Sequence, residues 1–467
     1  MFLLLFASCN DDNSFSTSTN NTLLFSIDTL KLDTVFSNIA SSQKNFWIYN
    51  KSGNGIRISS VQLKDGNQNG FQVNIDGIPL NSTSGYQTHN IEIRKGDSIR
   101  VYVKLLAASN YSDKPKRLND EIVFTLENGI QQNIKLDAFS WDATIMKNVH
   151  ISSNTTLNAS NKPIVISGRL TVDSLATLTI AAGSTIYFQS GAGLYIYGTL
   201  ISKGTASKNV ILRGARLDNM FNYLPYDYVS GQWIGVHLYN SSFNNIINYT
   251  DIHSPFDGII ADSSNLSVPK LLLYASTIHN CQGYGLYTAN NKIQVYNCQL
   301  SNTLKNCLYI DGGNVDINGC TIAQYYPFDS KRGTAILFSS AKNRLDIKCQ
   351  NTLITGYADN EMIGIRDNDS TKFKYHFANN IIRTPKVATA DSIYFTDIIY
   401  ENVKDTSSTG KKNFIKIDED NLRYDFHLNR YSSAISKGNT TTIPAEDRDG
   451  KIRDNTPDIG AFEYKQE

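Results

Sequence analysis

Charged side chains set just outside short apolar runs are the first place to look for chemistry in this chain. Lys331 and Arg332 precede the run at Ile336, and Arg366, Asp367 and Asp369 follow the run at Ile363. Cleaving a uronate sugar by elimination needs a base near the proton at C5 and a cation to neutralise the carboxylate. Lys331, Arg332 and Arg366 are the residues of the right type for a catalytic role of this kind. The plainer reading of the same residues is solvated charge at loop edges. His253 and His279 follow Ile252 and Ile278 and so hold one place in consecutive repeats. A stack of imidazoles can bind a metal or pass a proton. The same place one repeat on is Ser301, which supplies no third ligand, so the pair reads as a surface stripe and no metal is assigned. Asp447-Arg448-Asp449-Gly450 resembles part of a calcium loop, but the first ligand place falls on Ala445 and an ordinary turn is expected. No cofactor is implied.

Aromatic residues give the better-supported ligand surface. Tyr occurs 26 times, and Tyr284, Tyr287, Tyr309, Tyr325, Tyr326 and Phe328 lie in or beside the repeats. A phenol ring stacks on the apolar face of a sugar while its hydroxyl bonds to the sugar's oxygens. Tyr284, Tyr309, Tyr325 and Tyr326, with Asp367, are therefore the candidate ligand-binding residues. Strand packing is the alternative use of the same rings.

Both sets must be positioned by a repeating scaffold. Ile278, Leu300 and Ile322 follow one another at 22 residues, and so do the pairs Leu286 and Leu308, Val295 and Ile317, and Cys298 and Cys320. Leu178 and Leu200 carry the same step further back. Three apolar strand sites per repeat describe a coil of three short strands, which buries its apolar face only by stacking on its neighbours. The fold expected is an all-β right-handed parallel β-helix. The series continues through insertions, from Ile322 to Leu353 and Ile381, and from Leu308 to Ile336 and Ile363. The added residues, Tyr325 to Gly333 and Asp367 to Lys372, are expected in loops on one face.

Composition removes several classes of function. Lys and Arg total 44 against 43 Asp and Glu, so no charge excess draws the chain to nucleic acid or to an acidic membrane. The six cysteines form no Cys-x-x-Cys pair, which argues against a zinc site. Cys298 and Cys320 occupy stacked strands about 4.8 Å apart, where both buried free thiols and a disulfide are open readings.

Residues 24 to 142 are β in pattern but do not repeat. Phe46-Trp47-Ile48-Tyr49, Phe71-Gln72-Val73-Asn74-Ile75 and Ile99-Arg100-Val101-Tyr102-Val103 alternate as half-buried strands do. Short strands separated by turns such as Asp76-Gly77 and Asn128-Gly129 suggest an immunoglobulin-like sandwich. Asp33-Thr34-Val35-Phe36, Tyr49-Asn50-Lys51 and Gly96-Asp97-Ser98 resemble a module found ahead of β-helices in lipoproteins of the Bacteroidota. That resemblance implies a spacer or interaction role and no catalytic residue.

The opening coils, Gly168-Arg169-Leu170-Thr171-Val172 and Gly183-Ser184-Thr185-Ile186-Tyr187-Phe188, and later Gly231-Gln232-Trp233-Ile234-Gly235-Val236, resemble secreted β-helices of the pectin-lyase-like superfamily. The catalytic motifs of pectate lyases and polygalacturonases are not in the chain. Pro457-Asp458-Ile459-Gly460-Ala461-Phe462-Glu463-Tyr464 resembles the tail that closes many bacterial β-helices, and is expected to cover the last coil.

At the other end, Phe6-Ala7-Ser8-Cys9 resembles a bacterial lipobox, with Phe where Leu is usual, and Asn10-Asp11-Asp12 resembles the export signal of surface lipoproteins. Met1 to Ser8 is too short an apolar run to span a bilayer, which takes about 20 residues, but it fits the end of a signal peptide. The start at Met1 is read as internal or truncated, with the mature protein beginning at a lipid-bearing Cys9.

The organisation expected is a signal remnant, lipobox and tether over 1–22, a sandwich over 23–142, a β-helix over 143–415 and a cap over 416–467. The function expected is binding of an extended polysaccharide by a protein lipid-anchored to the bacterial outer membrane. A polysaccharide lyase or hydrolase and an adhesive or structural surface protein are the alternatives. The lipid expectation is checked by intact-mass measurement on protein from membranes: a diacylated or triacylated chain beginning at Cys9 is the expected result, and an unlipidated chain retaining Met1 contradicts it.

Overall fold

The computed structural model describes residues 14–405 and 410–465. Cys9 and the lipobox expected before it lie outside the described residues. Contacts divide the chain into two units, Met1–Ala143 and Thr144–Glu467.

In the first unit, alternation along each strand turns Phe46, Ile48, Val101 and Val103 from one five-stranded sheet and Ile58, Phe124, Ile134 and Leu136 from another into a single core. The result is a β-sandwich. Residues 14–22, within the stretch expected to be a tether, have partners on it. Phe15 bridges to Gly55 and packs 4.8 Å from the Arg57 guanidinium, and the Asn128 amide donates to the carbonyls of Ser18 and Asn21.

The second unit is a parallel β-helix whose strands form three ladders. The first face stacks Leu170, Leu194, Val236, Ile259, Leu286, Leu308 and Ile336 in register. A second face stacks Leu271, Ile293, Val315 and Ile347, and a third stacks Leu212, Ile252, Ile278, Leu300 and Ile322. These inward side chains form one continuous core. Cys298 and Cys320 are buried within it as free thiols, with the Cys298 amide donating to the Cys320 sulfur at 3.4 Å. At the corner before the third face, Asn297, Gly319, Asn351 and Asn379 all take positive φ, which asparagine and glycine tolerate best.

Two parts of the expected register are corrected. Ile322 stacks on Ile354 and Ile382, and not on Leu353 and Ile381; Ile336 stacks on Met362, and not on Ile363. A slip of one residue moves a side chain to the opposite side of a sheet. The cause is that Leu353 and Ile381 point outward and are nevertheless buried, in a separate cluster with Phe414, Phe426, Ile459, Ala461 and Phe462. With both sides of the strand apolar, alternation no longer marks the inward one. The insertions also part company. Residues 325–335 join the third face to the first, whereas 366–372 join the first to the second.

The C-terminal segment runs along the outward side of the third face. Phe414–Asp418 and Arg423–Leu428 form a hairpin, and the chain then reaches back over earlier coils. The Ala461 amide donates to the Thr321 hydroxyl at 3.0 Å. Arg448 donates to the Thr277 hydroxyl at 3.0 Å and to the Asn209 amide oxygen at 2.8 Å. The segment is thus a lateral strap over several coils, where a lid on the last coil was expected. A histidine pins it to itself: His427 lies 2.6 Å from Asp425 and 2.9 Å from Asp449 through its two ring nitrogens.

Burial works to lower the His427 pKa, but Asp425 and Asp449 outweigh it and raise the group to about 9. Its stabilisation is therefore complete below the unfolded value of about 6.5 and disappears as pH rises through about 9. The melting temperature of His427→Gln should fall furthest below wild type near pH 6 and converge on it above about pH 9, read by thermal denaturation across that range.

Candidate functional site

Two outward surfaces of the β-helix concentrate functional groups. On the first face, residues of a single outward column follow in register: Tyr195, His237, Ile260, Tyr287, Tyr309, Leu337 and Ile363. Successive strands about 4.8 Å apart set their spacing. Tyr287 and Tyr309 have ring centroids 5.1 Å apart, and Tyr284 joins them from the corner at 5.5 and 5.7 Å. Tyr284 is placed by Asp257, whose carboxylate accepts its amide at 2.7 Å. Gly283 makes room for that contact, because a Cβ there would meet the same carboxylate oxygen at 2.0 Å.

Charge flanks these rings. Lys305 Nζ lies 4.6 Å from the Tyr284 centroid, and Arg169 packs 3.5 Å from the centroid of Tyr195 at the other end of the column. The Tyr287 hydroxyl donates to Asp311 at 3.4 Å, and Lys342 lies 3.7 Å from that carboxylate. Burial and the charge of Asp311 push Tyr287 up to about 12 and also raise Tyr309, so both remain neutral hydroxyls that donate as well as accept.

The second surface is on the third face. Its outward column carries Tyr187, Arg213, His253, His279 and Ser301, as the registers Tyr187 to Arg213, Leu212 to Ile252 and His253 to His279 to Ser301 require. Residues 215–230 fold back over this column and contribute Asp227. One carboxylate oxygen of Asp227 lies 2.7 Å from Arg213 and 2.8 Å from His253 Nε2. Asp251 lies 3.0 Å from His253 Nδ1 and 3.2 Å from His279 Nε2. Asp251, His253 and His279 thus bring three ligand atoms within 4.8 Å of one another. Behind them Trp233, stacked on Phe188, donates its indole N–H to the His253 carbonyl at 3.0 Å and fixes the strand end.

Burial opposes ionisation throughout this group, and the opposite charges outweigh it. His253 is raised to about 9 by Asp251 and Asp227, Asp251 is held well below the usual carboxylate range by His253 and His279, and Asp227 is lowered by His253 and Arg213.

The residues singled out from sequence are only partly brought together. Tyr284 and Tyr309 share the first-face cluster. Tyr325 and Tyr326 do not reach it: Tyr325 is fully buried against Phe414 and Phe426 beneath the strap, and Tyr326 is buried with its hydroxyl 3.0 Å from that of Ser230. Being placed on an insertion does not make a tyrosine exposed when another segment covers it. Asp367 sits past the end of Met362–Ile365, near Lys372 at 3.4 Å, two coils beyond Tyr309.

Lys331, Arg332 and Arg366 do not converge. Arg332 packs 4.3 Å from the Tyr357 ring, which follows the third-face strand Leu353–Gly356, and Lys331 is exposed in the loop before it. Arg366 begins the connection on the far side of the first face and acts electrostatically on Tyr375 of the second. Asp251 stands outside the histidine column that ends at Ser301, so the column alone does not bring it to the pair. The legible signal was the Asp-x-His spacing of Asp251 and His253, which puts both side chains on one side of a strand.

A family description, right-handed β-helix region, matches residues 134–322. No curated protein matches. Among solved structures, the catalytic unit of a GH87 α-1,3-glucanase from Streptomyces thermodiastaticus aligns over 77% of this chain and 89% of its own, at 10% identity and a TM-score of 0.29. A family 123 glycoside hydrolase from Clostridium perfringens aligns over 26% of each chain, at 9% identity and a TM-score of 0.18. This chain therefore spans about a quarter of that enzyme's length. A PapD-like domain of human CEP192 aligns over 27% of this chain and 89% of its own, at 10% identity and a TM-score of 0.18. Together with the parallel ladders, the family match gives the fold class: a right-handed parallel β-helix preceded by a β-sandwich.

Burial separates the two kinds of tyrosine by experiment. Tyr325→Ala should cost about 3–5 kcal/mol of unfolding free energy, as removal of a large core side chain does. Tyr309→Ala, on the outward column, should stay below about 1 kcal/mol. Urea denaturation of the two variants reads the difference.

Proposed function

We propose that the β-helix binds an extended polysaccharide along the outward side of its first face, with the sugar rings lying on Tyr284, Tyr287 and Tyr309. The observation that carries this reading is the cluster of these three rings, with centroids 5.1 to 5.7 Å apart: Tyr287 and Tyr309 stand in register on two consecutive coils and Tyr284 joins them from the corner. Flat rings give the apolar contact, neutral phenols give donors and acceptors, and Lys305, Lys342 and Arg169 offer charge to acidic substituents. Binding without cleavage is favoured because Lys331 and Arg332 lie in the connection that enters the first face and Arg366 in the one that leaves it.

In the same reading, a lipid on Cys9 holds the protein at the bacterial outer membrane, and the sandwich is an immunoglobulin-like spacer. Support for the lipid comes from Phe6-Ala7-Ser8-Cys9 and Asn10-Asp11-Asp12 alone.

A glycan array probed with the full chain, followed by titration of the strongest ligand, tests the proposal. Tyr287→Ala and Tyr309→Ala should each weaken binding about tenfold, the loss expected for roughly 1.4 kcal/mol of aromatic contact, with melting temperature preserved. No binding to any glycan on the array, or undiminished binding by the double variant, would overturn it.

A further inference from the structure

We infer that Asp251, His253 and His279 form a binding site for a first-row divalent cation of the zinc class, on a different face from the proposed glycan surface and independent of it. The ligand atoms are Asp251 Oδ1, His253 Nδ1 and His279 Nε2. Asp251 Oδ1 lies 3.0 and 3.2 Å from the two nitrogens, and all three fall within 4.8 Å of one another. The 3.0 and 3.2 Å separations are those of atoms sharing one ion at about 2.0–2.2 Å from each. Two imidazoles and a carboxylate favour zinc, cobalt or nickel over magnesium or calcium, which take oxygen ligands.

The surroundings add what a loose surface cluster lacks. The ion would take the place of the proton between His253 Nδ1 and Asp251, which is released on binding; the Nε2–H stays committed to Asp227 at 2.8 Å, and Asp227 is held by Arg213 at 2.7 Å. A carboxylate on the far nitrogen of a ligating histidine fixes ring orientation and tautomer. That carboxylate comes from the 215–230 insertion, so the lengthening of this coil completes the site. The strand end is set from behind by the Trp233 bond to the His253 carbonyl. His253 is buried, whereas His279 and Asp251 keep 23% and 31% of their side-chain surface, leaving an approach for the ion from one side. Three protein ligands leave a fourth position for water or for an oxygen atom of a ligand.

The test uses the full chain, untagged and stripped with chelator. Zinc is titrated by calorimetry, and cobalt by the visible absorption that tetrahedral coordination intensifies. One ion per chain is expected, with a cobalt spectrum free of thiolate charge-transfer bands. His279→Gln and Asp251→Asn should abolish binding while leaving the far-ultraviolet circular dichroism unchanged. Asp227→Asn should retain the site and weaken it about 10- to 100-fold, the usual loss for a supporting carboxylate. That graded result does not depend on removing a ligand and stays readable if a ligand variant misfolds. Absence of stoichiometric binding, thiolate bands in the cobalt spectrum, or equal affinity in His279→Gln would overturn the assignment.

Discussion

Stacking in register is the constraint on which everything in residues 144–400 depends. A coil of three short strands has no closed core of its own. Its inward Leu, Ile and Val side chains are buried only when the coils above and below present the same side chains at the same height. The ladders Leu286 on Leu308 and Ile278 on Leu300 are thus tertiary contacts as well as sheet pairings, and both candidate surfaces inherit their spacing from them. Outward side chains are freed from that duty, so a column can carry tyrosines on one face and histidines on another without altering the interior.

Insertions become functional because they leave the ladders intact. Residues 215–230 lengthen one connection, yet Leu212 still stacks on Ile252. The added chain returns over the third face and delivers Asp227 to His253, and its end meets Tyr326 of a later insertion through Ser230. Two lengthened connections that start from the same corner can touch although the contacting residues are 96 apart in sequence. That contact buries Tyr326 and removes it from any ligand surface.

The sequence discloses the periodic part of this architecture well. A step of 22 residues from Ile278 through Ile322 is a direct imprint of one coil, and the structure keeps those pairs. Legibility fails where a second layer covers the outside. Leu353 and Ile381 are as apolar as Ile354 and Ile382 because both sides of those strands are buried, and only the strap's position distinguishes them. The site shows the same limit. Tyr309 is outward by periodicity, whereas the place of Tyr284 depends on a corner and the covering of Tyr325 on a segment about a hundred residues later. Asp227 reaches His253 through a loop whose course no pattern of hydrophobicity encodes.

The strap also changes the kind of object this solenoid is. An array of stacked repeats can ordinarily open from either end, one repeat at a time. Here Arg448 joins Asn209 and Thr277, the former 239 residues earlier, and the Ala461 amide holds Thr321. During synthesis the outward apolar row of Leu353 and Ile381 stays uncovered until Phe414, Phe426 and Ile459 have left the ribosome. A nascent chain that stops short of the strap therefore carries a finished interior behind an open hydrophobic flank.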